Sequence, residues 1–238
     1  RRSRVLPLSL CLALPACTSA ATRTDDADVL LAHLQPDIIV VEGDPTETTT
    51  IEALMLEHHV PGVSIAVIRD GEIDWARGFG VADVEAGRPV TTETMFQAAS
   101  ISVPVTATAA LTMVQDGLLD LDEDVNVKLA SWKLPSNEHT EQQPVTLRQL
   151  LSHTAGVNVL GLPGYGHIEE LPSAVDVLEG RAITEAVRVF MPPGANWRYS
   201  DGGYVIIGKL MEDVAGKPFA DIVRERVFEP LGMTLSLI

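Results

Sequence analysis

The sequence predicts an α/β-type (α+β) domain that opens with a helix and an antiparallel hairpin and then turns helical. Residues 51–58 carry apolar side chains at helical spacing through Ile51, Leu54 and Met55, and Pro61-Gly62 ends the run. Residues 62–69 and 72–80 are β-rich, and the Asp70-Gly71 pair between them is a two-residue hairpin signal. Beyond Ser100 the apolar spacing becomes helical over 105–115, 183–190, 204–215 and 219–228.

Composition bounds the rest. At 238 residues the chain can bury one sizeable core, and its 46% hydrophobic content is globular. Basic and acidic side chains number 17 and 33, a formal charge of −16. Such a surface repels phosphate backbones and anionic lipid, which argues against nucleic acid as a partner. No internal run approaches the roughly 18 apolar residues of a membrane span.

Residues 1–24 differ in character from the rest of the chain. Arg1, Arg2 and Arg4 precede the apolar run from Val5 to Leu14, and small residues occupy 16–21, the pattern of a secretory leader. Leu14-Pro15-Ala16-Cys17 is similar to a bacterial lipoprotein signal, in which Cys17 carries the lipid and gives the only membrane attachment. Ordinary cleavage near 16–21, with Cys17 discarded, is the other reading. The expected location is outside the cytoplasm, periplasmic or anchored to the outer membrane. Both cysteines, Cys11 and Cys17, fall in the leader, so the remainder has no disulfide and no thiolate metal site. Residues 25–50 are acidic and Thr-rich with scattered proline, as in a linker, and 51–238 form the domain.

Other tempting groups read as structural. The adjacent pair His58-His59 cannot face one ion from a helix and suits a solvated helix end. The acids Asp120, Asp122, Glu123 and Asp124 lack the glycine-centred loop of a calcium site and suit caps or a solvated face. Neither phosphate-binding glycine motif is present, and nothing suggests a metal or redox cofactor.

Ser100 stands where an extended segment enters a helix of small residues, and it has two readings. It is a helix cap, or a nucleophile held where helix-start amides stabilise negative charge. The stretch Phe96-Gln97-Ala98-Ala99-Ser100-Ile101-Ser102, with Gly117-Leu118-Leu119-Asp120 after it, resembles the nucleophile region of serine β-lactamases and penicillin-binding proteins, nearest their class C-like and esterase-type members. Val60-Pro61-Gly62, Leu150-Leu151-Ser152-His153-Thr154-Ala155-Gly156, Tyr199-Ser200-Asp201 and Pro230-Leu231-Gly232-Met233 carry the same resemblance, which spans residues 50–235.

The resemblance implies a β-lactamase/transpeptidase-like fold whose last antiparallel strands lie beyond this sequence, so that the sheet here is incomplete. It implies Ser100 as nucleophile and Tyr199 as base or proton relay. Asp201 stands at the asparagine of the family's Tyr-x-Asn motif, as a substrate-binding residue. His153 invites a triad with Ser100, but the family does not use this histidine as base, and helix C-termini favour histidine for dipole reasons. Tyr165 and His167, in the Gly- and Pro-rich stretch 157–171, are candidate substrate-facing residues.

One departure dominates. The family motif is Ser-x-x-Lys, and here the fourth position is Val103, which can neither accept nor relay a proton. No lysine precedes Lys128, so no one-residue slip restores the motif. A lone phenol, with an ordinary pKa near 10, is a poor base at neutral pH. The expected activity is acyl-enzyme hydrolysis of an ester, amide or β-lactam, weak or absent in this chain. The alternatives are a silent module that binds a peptidoglycan-type peptide, and a non-functional remnant. Sequence beyond Ile238 separates the remnant from the other two.

Overall fold

The computed structural model describes residues 23–32, 34, 49–165 and 171–238. Most of the expected leader, including Cys17, and also His167 lie outside the described residues. The chain divides into two compact units, Arg1–Thr94 and Met95–Ile238.

In the first unit, α1 (Arg23–Ala32) buries Ala27 and Leu31, and Leu34 bridges Thr49. Part of the stretch whose composition suggests a linker is therefore built as structure. Helix α2 (Ile51–Glu57) starts at a Thr50 cap that accepts the Ala53 N–H at 3.2 Å. Strands β1 (Gly62–Arg69) and β2 (Glu72–Asp83) pair antiparallel from Gly62↔Gly80 to Arg69↔Glu72. Asp70 and Gly71 between them take φ of 53° and 81°, the two left-handed residues that a tight hairpin turn requires. A short β3 (Arg88–Pro89), not expected from the sequence, adds to β2 and gives the order β1-β2-β3.

The second unit is helical. Its helices are α3 (Ser102–Gln115), α4 (Val125–Lys128), α5 (Leu147–Leu151), α6 (Ala174–Leu178), α7 (Asp201–Ala215) and α8 (Phe219–Val223). A π-helical turn, Arg224–Phe228, continues α8. The core is organised on α7, which touches α3, α4, α5, α6 and α8 and buries Ile206, Ile207, Leu210 and Met211. Opposite it, α3 buries Ala109, Ala110 and Met113, with the Thr106 hydroxyl satisfied by the Ser102 carbonyl at 2.8 Å. Among the described residues no helix is long and apolar enough to cross a membrane.

The acidic run is absorbed by local structure. Asp124 caps α4 through the Asn126 N–H, Asp120 accepts the Asp122 N–H, and Asp122 takes both Arg148 nitrogens, at 2.7 and 2.8 Å. The expected helix over 183–190 is absent. This segment is extended, with Val189 bridged to Val157 and the Arg188 amide bonded to the Asn158 side chain at 2.6 Å. Val187 and Val189 are buried two residues apart, a strand-like period that the longer helical spacing masks.

Gly202, in the first turn of α7, lies where a Cβ would come within 2.8 Å of the Asn158 carbonyl oxygen and 3.1 Å of Val159 Cβ. Gly202→Ala is expected to cost about 1–3 kcal/mol by overpacking, measured as a lower urea midpoint at unchanged m-value.

Candidate active site

The site begins with backbone geometry at the start of α3. Ala99–Ile101 form a 3-10 turn, and Ala99 is left-handed with φ of 45°. An alanine there costs about 1–3 kcal/mol, a cost usually retained where it aims a neighbour. Ser100 is the next residue. Its side chain caps neither the 3-10 turn nor α3, and the residue is exposed. Instead it lies near enough to the Tyr199 phenol to lower that group's pKa. The cap reading of Ser100 fails because neither helix start uses its side chain.

Tyr199 is fixed from both sides by His153. The His153 carbonyl accepts the Arg198 N–H at 2.8 Å, and its Nδ1 accepts the Ser200 N–H at 3.2 Å. The imidazole also lies against the Tyr199 ring, with centroids 4.5 Å apart. His153 itself is left-handed, φ 57°, so the end of α5 turns sharply enough to present both carbonyl and ring. Ser200 is buried and caps α7, accepting the Gly203 N–H at 3.0 Å while donating to the Asn158 carbonyl at 2.7 Å. His153 is thus a clamp on the tyrosine rather than a partner of Ser100, in keeping with its helix-end position.

The Tyr199 hydroxyl donates to Asp201 Oδ1 at 2.8 Å, and Asp201 Oδ2 accepts the Leu162 N–H at 3.0 Å. Ser100 draws the phenol's pKa down, but burial and the Asp201 carboxylate outweigh it and leave the phenol above its ordinary value. Asp201, expected from its motif position to bind substrate, therefore has both oxygens engaged by the protein.

Ser100 and Asp201 open on a cleft of about 430 Å³, within the usual range for small-molecule sites. Val103, Leu162, Ala174, Val205 and Phe219 give it apolar walls. Val103 sits on the same wall as Ser100, half-buried, with no proton-accepting atom. Tyr199 is not itself on the wall and reaches the cleft through Asp201, which accepts its hydroxyl. Tyr165 is not on the wall either, and its hydroxyl is buried with no hydrogen-bond partner. Among the described residues no three His, Cys, Asp or Glu side chains are grouped to hold a metal ion.

Sequence reading missed the far end of the cleft, where Gly208, Lys209 and Glu212 continue the face of α7 begun by Asp201, Tyr204 and Val205. The spacing 201, 204/205, 208, 212 was the available signal. Lys209 is no substitute for a lysine at position 103. Its Nζ lies 3.1 Å from Glu212 and 3.2 Å from Asp213. Burial pulls its pKa down, but these two carboxylates more than offset that and keep it an ammonium.

A Beta-lactamase family model matches residues 48–236. The chain belongs to the Beta-lactamase family. It is 34% identical to esterase EstB of Burkholderia gladioli over 74% of this chain and 47% of that protein. It is 32% identical to penicillin-binding protein 4 of Amycolatopsis lactamdurans over 78% of this chain and 47% of that one. Among solved structures, the hydrolase EstCE1 superposes with a TM-score of 0.62 at 31% identity, over 76% of this chain and 49% of its own. The D-amino acid amidase of Ochrobactrum anthropi SV3 gives 0.60 at 30% identity, over 75% and 47%. The fold is the family's β-lactamase/transpeptidase-like fold, and the chain spans about half the length of these relatives.

Within this family member the clamp histidine carries a pH signature. Burial lowers the His153 pKa, and the nearby Asp201 carboxylate raises it less. Its folded value is then below the unfolded one, so the unfolded chain binds the extra proton first as pH falls. Stability is complete above about pH 6.5 and declines below it until the folded value is passed. The melting temperature is expected to drop between pH 7 and 5. His153→Asn, which tolerates the left-handed backbone and keeps an acceptor for Ser200, should flatten that drop.

Proposed function

We propose that this family member is a serine hydrolase that acts by acyl transfer, with Ser100 as nucleophile and Tyr199 relaying its proton, and that Val103 makes it slow. The observation that carries the reading is an exposed Ser100 on the wall of an apolar cleft, beside Asp201 and the Tyr199 phenol that donates to it at 2.8 Å. A group that takes the hydroxyl proton and donors that hold the oxyanion are the minimum for this chemistry. The Ser100 N–H, in the 3-10 turn ahead of α3, is one donor this chain offers. The substrate is a small ester, amide or β-lactam, or a peptidoglycan-type peptide, whose apolar part lies along Val205 and Phe219. Export through the N-terminal leader, with or without a lipid on Cys17, belongs to the same proposal.

Losing general-base assistance costs about 10²- to 10⁴-fold. The protein is therefore expected to label slowly with a fluorophosphonate or a fluorescent penicillin, and Ser100→Ala should abolish what labelling there is. Labelling that survives Ser100→Ala would remove Ser100 from the chemistry. A catalytically silent binding module is the second reading, and Val103 favours it. Equilibrium binding of a peptide or ester with no covalent adduct at Ser100 would support that alternative.

A further inference from the structure

We propose that Asp201 is the terminal proton acceptor of this site, taking over through Tyr199 the work that a lysine at position 103 does elsewhere in the family. The proposal rests on the hydrolase reading above and names how that site moves its proton.

A phenol is limited in what it can accept. An imidazole can take a proton while it keeps its own, but a neutral phenol cannot, because its oxygen would become an oxonium. If Tyr199 takes the Ser100 proton, its own must leave at the same moment, and a neighbour must receive it. The structure provides one acceptor in line, since Tyr199 already donates to Asp201 Oδ1 at 2.8 Å. On the other side, Ser100 shares the cleft with Asp201 and acts on the same phenol, lowering its pKa. Lys209, the lysine on the cleft wall, is tied to Glu212 and Asp213. His153 turns Nδ1 to the Ser200 amide.

The two departures from the family pattern then compensate each other in part. A motif lysine is missing at Val103, and a carboxylate stands at Asp201 where the family has a neutral amide. An asparagine at that place could orient the phenol but could not keep its proton.

The step balances without a co-reactant. As Ser100 Oγ bonds to the substrate carbonyl carbon, the carbonyl π pair moves to oxygen. The serine proton passes to Tyr199 Oη, and the tyrosine proton passes to Asp201 Oδ1. Collapse of the tetrahedral intermediate breaks the bond to the leaving group. That group then collects a proton from Tyr199 as Asp201 returns its own. Water hydrolyses the acyl-enzyme along the same path in reverse. No free phenolate forms, so the carboxylate that disfavours a phenolate does not obstruct the transfer. It makes the phenolic oxygen richer in electrons, by the polarisation that runs along hydrogen-bond chains.

The test measures single-turnover acylation of Ser100 by a p-nitrophenyl ester, read both as p-nitrophenol release and as mass added to the full-length protein. Asp201→Asn restores the family's residue, yet it is expected to slow acylation about 10²-fold or more. Asp201→Glu, which keeps a carboxylate, should recover part of the loss. Ultraviolet titration of the three tyrosines provides a second reading. One of them should ionise at lower pH in Asp201→Asn while the circular dichroism over the same pH range remains that of the folded parent. Asp201→Asn acylating as fast as the parent, or faster, would overturn the proposal and leave the hydrolase reading standing. A parent protein with no Ser100 adduct would overturn both.

Discussion

Val103→Lys is expected to raise the rate of Ser100 acylation by about 10²- to 10⁴-fold in an Asp201→Asn background, the usual range for a restored general base. The two positions line one cleft with Ser100, so their effects are coupled rather than additive. Val103→Lys alone places an ammonium in an apolar cleft together with the Asp201 carboxylate. An opposite charge favours the protonated lysine, and a protonated lysine accepts nothing. The single variant should therefore gain far less than the pair. With Asp201 also neutralised, the apolar walls work the other way. Desolvation by Val205, Phe219 and Ala174 pulls a lysine down towards neutrality, which is what a base requires. Asp201→Asn should thus slow the parent and speed the Val103→Lys variant, a reversal of sign that no purely structural role for Asp201 produces. Stopped-flow release of p-nitrophenol from full-length protein measures all four members of the cycle, with Ser100→Ala in the double variant as the zero. A double variant no faster than Asp201→Asn would show that the missing lysine is not what limits this site.

Local chemistry makes much of this arrangement legible in the sequence. Asp70-Gly71 specifies the hairpin because few residue pairs take two left-handed conformations cheaply, and both do so here. Thr146 and Gln149 announce α5 through a reciprocal capping box, which the structure contains. Ser100 and Tyr199, 99 positions apart in numbering, are paired by resemblance, and in the structure Ser100 is near enough to influence the phenol's pKa. What stays hidden depends on contacts between distant segments. The stretch 183–190 has apolar residues compatible with a helix, but its pairing with Val157 and Asn158 decides its conformation. Tyr165 reads as substrate-facing because it lies in a glycine-rich stretch, and composition alone does not say on which side of the loop a ring is buried. The clamp role of His153 needs the left-handed turn after α5 and the cap of α7 in one place, two features that no single window of sequence contains.

Asp213→Ala is expected to cost about 3–5 kcal/mol, the range for removing one partner of a buried ion pair. The pair is well shielded, with side-chain exposures of 14% for Lys209 and 6% for Asp213. Asp213 also accepts the Ala130 N–H at 2.7 Å, the Ser131 N–H at 3.1 Å and the Ser131 hydroxyl at 2.7 Å. One carboxylate thus ties α7 to the segment after α4. Its loss strands two backbone donors and leaves Lys209 with Glu212 alone. Asp213→Asn keeps acceptor capacity and loses only charge, so it should lie between the parent and Asp213→Ala. The acid dependence arises from the same contacts. Burial pushes the Asp213 carboxyl up, but the bonds from Ser131, Ala130 and Lys209 outweigh burial and hold it below the usual carboxylate range. With the folded value below the unfolded one, the stabilisation is complete above about pH 4 and is lost as pH falls through the folded value. Urea midpoints measured from pH 7 down to pH 3 should fall for the parent and separate less from Asp213→Ala as acid protonates the carboxyl. Lys209 lines the far end of the cleft from Ser100, so the same variant should loosen that wall first. Hydrogen exchange at the Ala130 and Ser131 amides, whose acceptor is removed, is expected to accelerate before any change reaches the Tyr199–Asp201 end of α7.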